Sequence, residues 1–351
     1  MYELNEKIKD LKPYDPIDGN YKIRLDANES CFNLPDYILK RVHDVIDATD
    51  FNRYPDPAAK RLNRAFADYY GIDADYVTAG NGSDELISVI MTAFLMRGDK
   101  VVTVLPDFSM YSFYSSLCEA ECVRFEKNND LTIDVDGLIS TVNNTGARMV
   151  IFSNPCNPTS KGITREDAKR LISGVDALVV LDEAYMDFWE QSLLDEVQSY
   201  SNLIILRTAS KAVGAAAVRL GFAVANRTLT NALRAVKSPY NVNTLTQEIG
   251  RIIFESKDWL EEAKNSLIAL RKGLYESLKT LENAYPEKLK IIEGSCNFVF
   301  VKTPLAREIY EFLLTKSIAV RYMGDFIRIT AGNTEENSEL LERLSEFFKT
   351  E

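Results

Sequence analysis

Ile204-Ile-Leu-Arg-Thr-Ala-Ser-Lys211-Ala-Val-Gly214 carries an apolar run directly into a stretch of very small residues. A short run of that kind reads as a strand buried on both faces, which puts the lysine at the strand's end. α/β proteins place their chemistry at such ends. With so little steric cover, a lysine amine there serves either as counter-ion to a phosphate or as nucleophile towards a carbonyl.

Outward from this stretch, similar Val/Ile/Leu-rich runs recur at Val101–Leu105, Met149–Ser153, Ala177–Leu181, Leu203–Leu206 and Gly221–Ala225. Helical patterns separate them, beginning with an apolar helix over Asp84–Met96. Helices between buried strands imply crossover connections and a mostly parallel sheet. After Pro239 the pattern changes to long helices over Leu245–Glu255 and Asp258–Asn283, then short runs at Leu289–Glu293, Asn297–Lys302, Ala319–Tyr322 and Phe326–Ala331. Helices over Leu305–Thr315 and Thr334–Phe348 accompany these runs. The chain is therefore expected to be α/β, with a large domain over 41–245 and a smaller α+β domain over 246–351. Residues 1–40, with Pro13, Pro16 and Pro35, are expected to form an arm that joins the smaller domain or wraps another surface.

The 351 residues are 46% hydrophobic and 26% charged, a soluble globular balance, and the length suits two cores rather than one. A net charge of -11 with no basic run excludes a nucleic-acid surface. Five scattered cysteines without a second Cys/His pair fit reduced thiols rather than a metal site. The charged N-terminus lacks the apolar segment of a secretory signal, and no apolar run approaches the ~20 residues that span a bilayer. The cytoplasm is the expected compartment.

Four further segments bear chemistry. Gly80-Asn-Gly-Ser83-Asp84-Glu lacks the third glycine of a dinucleotide fingerprint and the lysine of a P-loop. What remains is a glycine turn feeding a helix start, which suits one phosphate but taken alone reads more readily as an ordinary acidic cap. Val179-Val-Leu-Asp182-Glu-Ala-Tyr185 ends a strand on a carboxylate that can pair with a cationic ring nitrogen or cap the next turn. Ser153-Asn-Pro-Cys-Asn157-Pro-Thr makes a tight proline turn that fixes the Asn157 amide. Arg219, eight residues after Lys211, can clamp a dianion or form an ion pair between strands.

In this order, these segments resemble the pyridoxal-phosphate aminotransferases of fold type I over most of the chain. Leu25-Asp-Ala-Asn-Glu, Arg53-Tyr54-Pro-Asp-Pro, the Gly82-Ser-Asp-Glu turn and Ile327-Arg328-Ile-Thr narrow the resemblance to the histidinol-phosphate aminotransferases and their close relatives. The resemblance implies a seven-stranded sheet flanked by helices, pyridoxal 5'-phosphate as cofactor, and a homodimer with shared active sites. It makes Lys211 the Schiff-base lysine and Asp182 the partner of the pyridinium nitrogen. Asn157 and Tyr185 then serve the cofactor's phenolic oxygen, and Phe108 stacks on the ring. Ser83, Asp84, Thr208, Ser210 and Arg219 surround the phosphate, joined by Tyr54 from the neighbouring subunit. Arg328 and Arg321 grip the acidic end of a small amino donor or 2-oxo acid.

The chain departs from that pattern in places. Phe108 stands where tyrosine is common, Ser160 where glycine usually follows the threonine, and Val213, Ala215 and Ala217 replace Phe, Leu and Gly. Rival readings on the same scaffold are a threonine-phosphate decarboxylase and an aromatic or broad-specificity aminotransferase. A non-catalytic pyridoxal-phosphate module is more distant, and a nucleotide-dependent dehydrogenase fails on its missing glycine. His43, alone in a helical pattern over Tyr37–Ile46, is expected to be structural.

Overall fold

The computed structural model describes residues 2–13 and 17–350, so Pro16 of the N-terminal arm lies outside the described residues. In chain order the strands are β1 (Ile23–Leu25), β2 (Val77–Gly80), β3 (Lys100–Leu105), β4 (Glu121–Glu126), β5 (Met149–Ser153) and β6 (Leu178–Asp182). They continue as β7 (Leu203–Thr208), β8 (Gly221–Ala225), β9 (Lys290–Ile292), β10 (Phe298–Lys302), β11 (Ile318–Met323) and β12 (Phe326–Thr330). A 7-stranded sheet runs β2-β8-β7-β6-β5-β3-β4, and only β8 runs against its neighbours.

Alternate residues of each central strand enter different cores. Val179 and Leu181 of β6 join one apolar cluster, whereas Val180 joins the cluster on the opposite face. Strands sandwiched in this way have no solvent face to encode, which is why their sequences lack alternation. The alternation reappears at the sheet's edge, where the polar strand β4 leaves no residue fully buried. Neither β4 nor the four-residue β2 stands out in the sequence.

The second sheet has 5 strands in the order β1-β11-β12-β10-β9. Its first strand comes from the N-terminal arm, pairing Ile23 with Ile318 and Leu25 with Val320. The helix Lys257–Ala284 contributes Leu260 to the core under the large sheet and Leu274 and Leu278 to the core under the small one. All five cysteines are unpaired, and His43 is exposed on the helix Asp36–Asp47. Among the described residues no helix is long and apolar enough to cross a membrane.

This topology gathers the functional segments. The parallel strands β3, β5, β6 and β7 all end at one edge of the sheet, and the turns after them carry Phe108, Asn157, Tyr185 and Lys211. Because β8 runs the other way, Arg219 enters that same edge just before Gly221, which pairs with both Thr208 and Gly80. A Cβ on Gly221 would lie 2.4 Å from the backbone nitrogen of Ser83, so glycine lets the helix Ser83–Phe94 begin directly against β8.

Candidate active site

The strand ends open into a cavity of about 560 Å³ between the two sheets. Lys211 lies on its wall, half-buried, with Nζ donating to the Ala27 carbonyl at 3.0 Å and lying 5.8 Å from the centre of the Tyr185 ring. No ion pair among the described residues includes it. Burial first, then the positive charges of Arg328 and Arg219, pull its amine down to about 8, against the opposing pull of Glu29 and Asp84. An amine so placed has a substantial neutral fraction near neutrality, as a nucleophile requires.

Asp182 ends β6 with 4% of its surface exposed. Tyr111 donates its hydroxyl to Oδ2 at 2.9 Å, and the Ala184 amide donates to Oδ1 at 3.1 Å. These donors oppose burial and the charges of Asp107 and Asp84, which together push the carboxyl up to about 7. No cation of the chain pairs with it among the described residues.

Next to it, the Tyr185 hydroxyl accepts a hydrogen bond from Asn28 Nδ2 at 2.8 Å. Burial pushes this phenol up, only partly offset by Arg328, so it keeps its proton and remains a donor. Arg328 fixes the amide of Asn157, donating from NH1 to Oδ1 at 2.5 Å. Since a guanidinium only donates, the Asn157 oxygen must face it and the amide hydrogens turn elsewhere.

At one end of the cavity the helix Ser83–Phe94 starts at Gly82 with no side-chain cap, leaving its first amides available to an anion. Arg219 approaches there in a left-handed conformation with φ 53, its NH2 3.5 Å from Asp84 Oδ2 and NH1 3.5 Å from the Ser210 hydroxyl. Thr208 accepts from the Ser210 amide, shaping the same wall. A Cβ on Gly82 would meet Arg219 at 2.9 Å, so the glycine makes room for the guanidinium.

At the other end Arg321 and Arg328 are direct cross-strand partners on β11 and β12. Two like charges placed opposite each other are unfavourable unless an anion lies between them. Arg328 is 8% exposed, and its Nε is buried with no acceptor among the described residues. Phe108 lines the cavity with its ring edge-to-face on Tyr111, at 5.6 Å between centres.

The structure thus brings together twelve of the thirteen residues expected at the site. Tyr54 stays apart: it is 82% exposed and stacks on Tyr240, 4.6 Å between ring centres, outside its own chain's cavity. Asn28, Tyr111 and Asp107, all on the cavity wall, were assigned no role from the sequence. Asn28 lies within a quoted motif, Leu25-Asp-Ala-Asn-Glu; Tyr111 and Asp107 had no periodicity or spacing to mark them.

These residues fit pyridoxal phosphate. An uncapped helix start with Arg219 suits its phosphate, a buried carboxylate without a cation suits its ring nitrogen, and an amine with lowered basicity suits its aldehyde. Fold and site therefore define a pyridoxal-phosphate-dependent enzyme of fold type I.

The comparisons with known proteins agree. The family described as "Aminotransferase class I and II" matches residues 20–344. The histidinol-phosphate aminotransferase of Clostridium novyi is 42% identical, covering 97% of this chain and 96% of its own. That of Clostridium kluyveri is 37% identical over 99% of both chains. A crystal structure of histidinol-phosphate aminotransferase from Sinorhizobium meliloti, in complex with pyridoxal-5'-phosphate, superposes with a TM-score of 0.88 at 22% identity, covering 100% of this chain and 98% of that one. The chain belongs to the class I and II aminotransferases, in the histidinol-phosphate aminotransferase family.

Proposed function

We propose that the protein transfers the amino group between histidinol phosphate and 2-oxoglutarate, a step of histidine biosynthesis, as a cytoplasmic homodimer. The observation that carries the chemistry is the Lys211 amine, lowered to about 8, in the same cavity as a buried Asp182 that meets no cation among the described residues. The substrate assignment rests on the full-length relatives and on the facing arginines, which suit a doubly charged acid end.

Bound pyridoxal phosphate supplies an aldehyde that accepts the amino group and a ring that accepts electrons when the substrate loses its Cα proton. Asp182, charged and directed into the cavity, holds a proton on the ring nitrogen and so keeps the ring receptive. Tyr185 and Asn157 would donate to the cofactor's phenolic oxygen, and Phe108 would supply a stacking surface for its ring. Arg219, Ser210, Thr208 and the amides of Ser83 and Asp84 anchor the phosphate. Arg321 and Arg328 fix the far end of the substrate, which holds its Cα near Lys211. Held there, the Lys211 Nζ would be the group placed to take the substrate's Cα proton, a role that requires its neutral form.

The exposed Tyr54–Tyr240 stack supports the dimer, with Tyr54 reaching the phosphate of the partner subunit's cofactor. The decisive experiment offers the purified chain histidinol phosphate, unphosphorylated histidinol and threonine phosphate, each with 2-oxoglutarate, and measures glutamate and CO2. Glutamate formed preferentially from histidinol phosphate supports the proposal. CO2 without glutamate, or indifference to the phosphate, overturns it.

A further inference from the structure

We infer that Tyr111 is a positioning residue for the cofactor: its hydroxyl keeps the Asp182 carboxylate ionised and aimed into the cavity. The inference rests on the proposed pairing of Asp182 with the ring nitrogen and adds what allows that pairing near neutral pH.

Tyr111 is buried, with 1% of its surface exposed, in the helix Met110–Leu117. Its hydroxyl makes one hydrogen bond among the described residues, to Asp182 Oδ2 at 2.9 Å. Burial first, then the charges of Asp182 and Asp107, raise this phenol well above its ordinary range. It therefore stays protonated at any working pH and can only donate to the carboxylate. The Ala184 amide on Oδ1 completes the hold, so the remaining lone pairs face the cavity.

The other charged and titratable groups around Asp182 do not serve this purpose. Asp107, from the loop after β3, and Asp84, from the helix Ser83–Phe94, both favour the protonated carboxyl. Tyr185, in the turn after β6, bonds to Asn28 instead. Lys211 lies on the same cavity wall with its amine on the Ala27 carbonyl, and Arg207 on β7 is committed to Glu183 and Asp187. Among the described residues Tyr111 is thus the one side chain whose hydrogen bond favours the charged form. The same segment supplies Phe108 for the ring's face, so one helix start sets both the stacking surface and the charge beneath the nitrogen.

A protonated ring nitrogen binds best to a charged carboxylate, so affinity falls as pH drops through the Asp182 pKa of about 7. Without the phenol hydroxyl, that fall begins at a higher pH.

The test titrates pyridoxal phosphate into the full chain and into Tyr111→Phe across pH, following the visible absorbance of the bound cofactor. Below pH about 7 the variant should bind about tenfold more weakly, and the two proteins should converge as pH rises. Titrations of Lys211 and of the cofactor itself are common to both proteins and cancel in the ratio. The same substitution in an Asp182→Asn background should change affinity by less than about twofold, because the group it acts through is gone. Both members of that comparison lack the carboxylate charge, so a packing defect from losing the hydroxyl appears there and is separated from the charge effect. A deficit equal at every pH, or an undiminished deficit beside Asn, would overturn the inference. A wild-type chain that gains no visible band refutes the proposed cofactor site itself, a separate outcome.

Discussion

Asp182 and Glu183 are consecutive, both almost fully buried, and their side chains lead to different surroundings. Glu183 meets a cation of its own chain. Arg207 lies 2.9 Å away, reaches Asp187 at 2.8 Å with its other nitrogen, and sits over the ring of Tyr70. Ser192 and Tyr70 donate to the two carboxylates and complete the cluster. Among the described residues Asp182 has only a phenol and an amide as partners. A buried charge balanced within the chain holds strands together, whereas one left with neutral donors is half of a pair that a ligand completes. The same contrast separates Arg207 from Lys211, four residues apart along one strand and loop.

Two substitutions test that division most severely. Lys211→Ala should lower amino transfer more than about a thousandfold, since the group that moves the proton is lost. Its cofactor-free form should unfold in urea no earlier than wild type, because no ion pair disappears. Arg207→Met should do the reverse. It leaves Glu183 and Asp187 buried without a cation, which costs about 3–5 kcal/mol in urea unfolding. The protein that remains folded should bind pyridoxal phosphate with wild-type affinity. Loss of cofactor from a stable Arg207→Met protein would show that the two regions act as one.

Of these regions, only the ligand-directed one was legible in the sequence. Lys211, Asp182, Tyr185 and Asn157 follow apolar runs or a proline turn at the ends of parallel strands, which puts them at one sheet edge, and the family resemblance supplied their roles. The Arg207 cluster draws on a strand, two turns and a helix, and its members sit 137 positions apart at the extremes from Tyr70 to Arg207. Nothing local announces such a pairing. Tyr111 was hidden for a related reason: an aromatic among Met110, Tyr111, Phe113 and Tyr114 reads as core until its hydroxyl is seen on Asp182. The edge strand β4 escaped because its residues are only partly covered, and β2 because four residues carry too little pattern. Ser160, a noted departure, has φ 60, the left-handed conformation that favours glycine. Its hydroxyl accepts from the Cys296 amide at 2.8 Å, a contact that glycine could not make.

A smaller effect sharpens the contrast between neighbours. Asp182→Asn keeps an acceptor for Tyr111 but removes the charge, so it should weaken cofactor binding by about 1.5–3 kcal/mol. Without cofactor the variant should be at least as stable as wild type at pH above about 7, where the native carboxylate is charged and its burial is unfavourable. Equilibrium titration and urea unfolding of the same preparation give both quantities. A cofactor-free chain destabilised as much as Arg207→Met would mean that Asp182 is scaffold after all.

The gentlest probe is pH, because it changes no residue. The neutral form of Lys211 is the one that captures an aldehyde, and its fraction falls about tenfold for each unit below the pKa. Capture of pyridoxal phosphate by the cofactor-free chain, followed by stopped-flow absorbance, should therefore rise with pH and level off above about 8. A lysine in water would keep rising towards its ordinary 10.5. Over this interval the Arg207 cluster should contribute nothing: burial pulls its guanidinium down, but Glu183 and Asp187 outweigh burial and hold it charged. A plateau near the ordinary lysine value would place the amine in solvent rather than beside Arg328 and Arg219, and the cavity would lose its claim on Lys211.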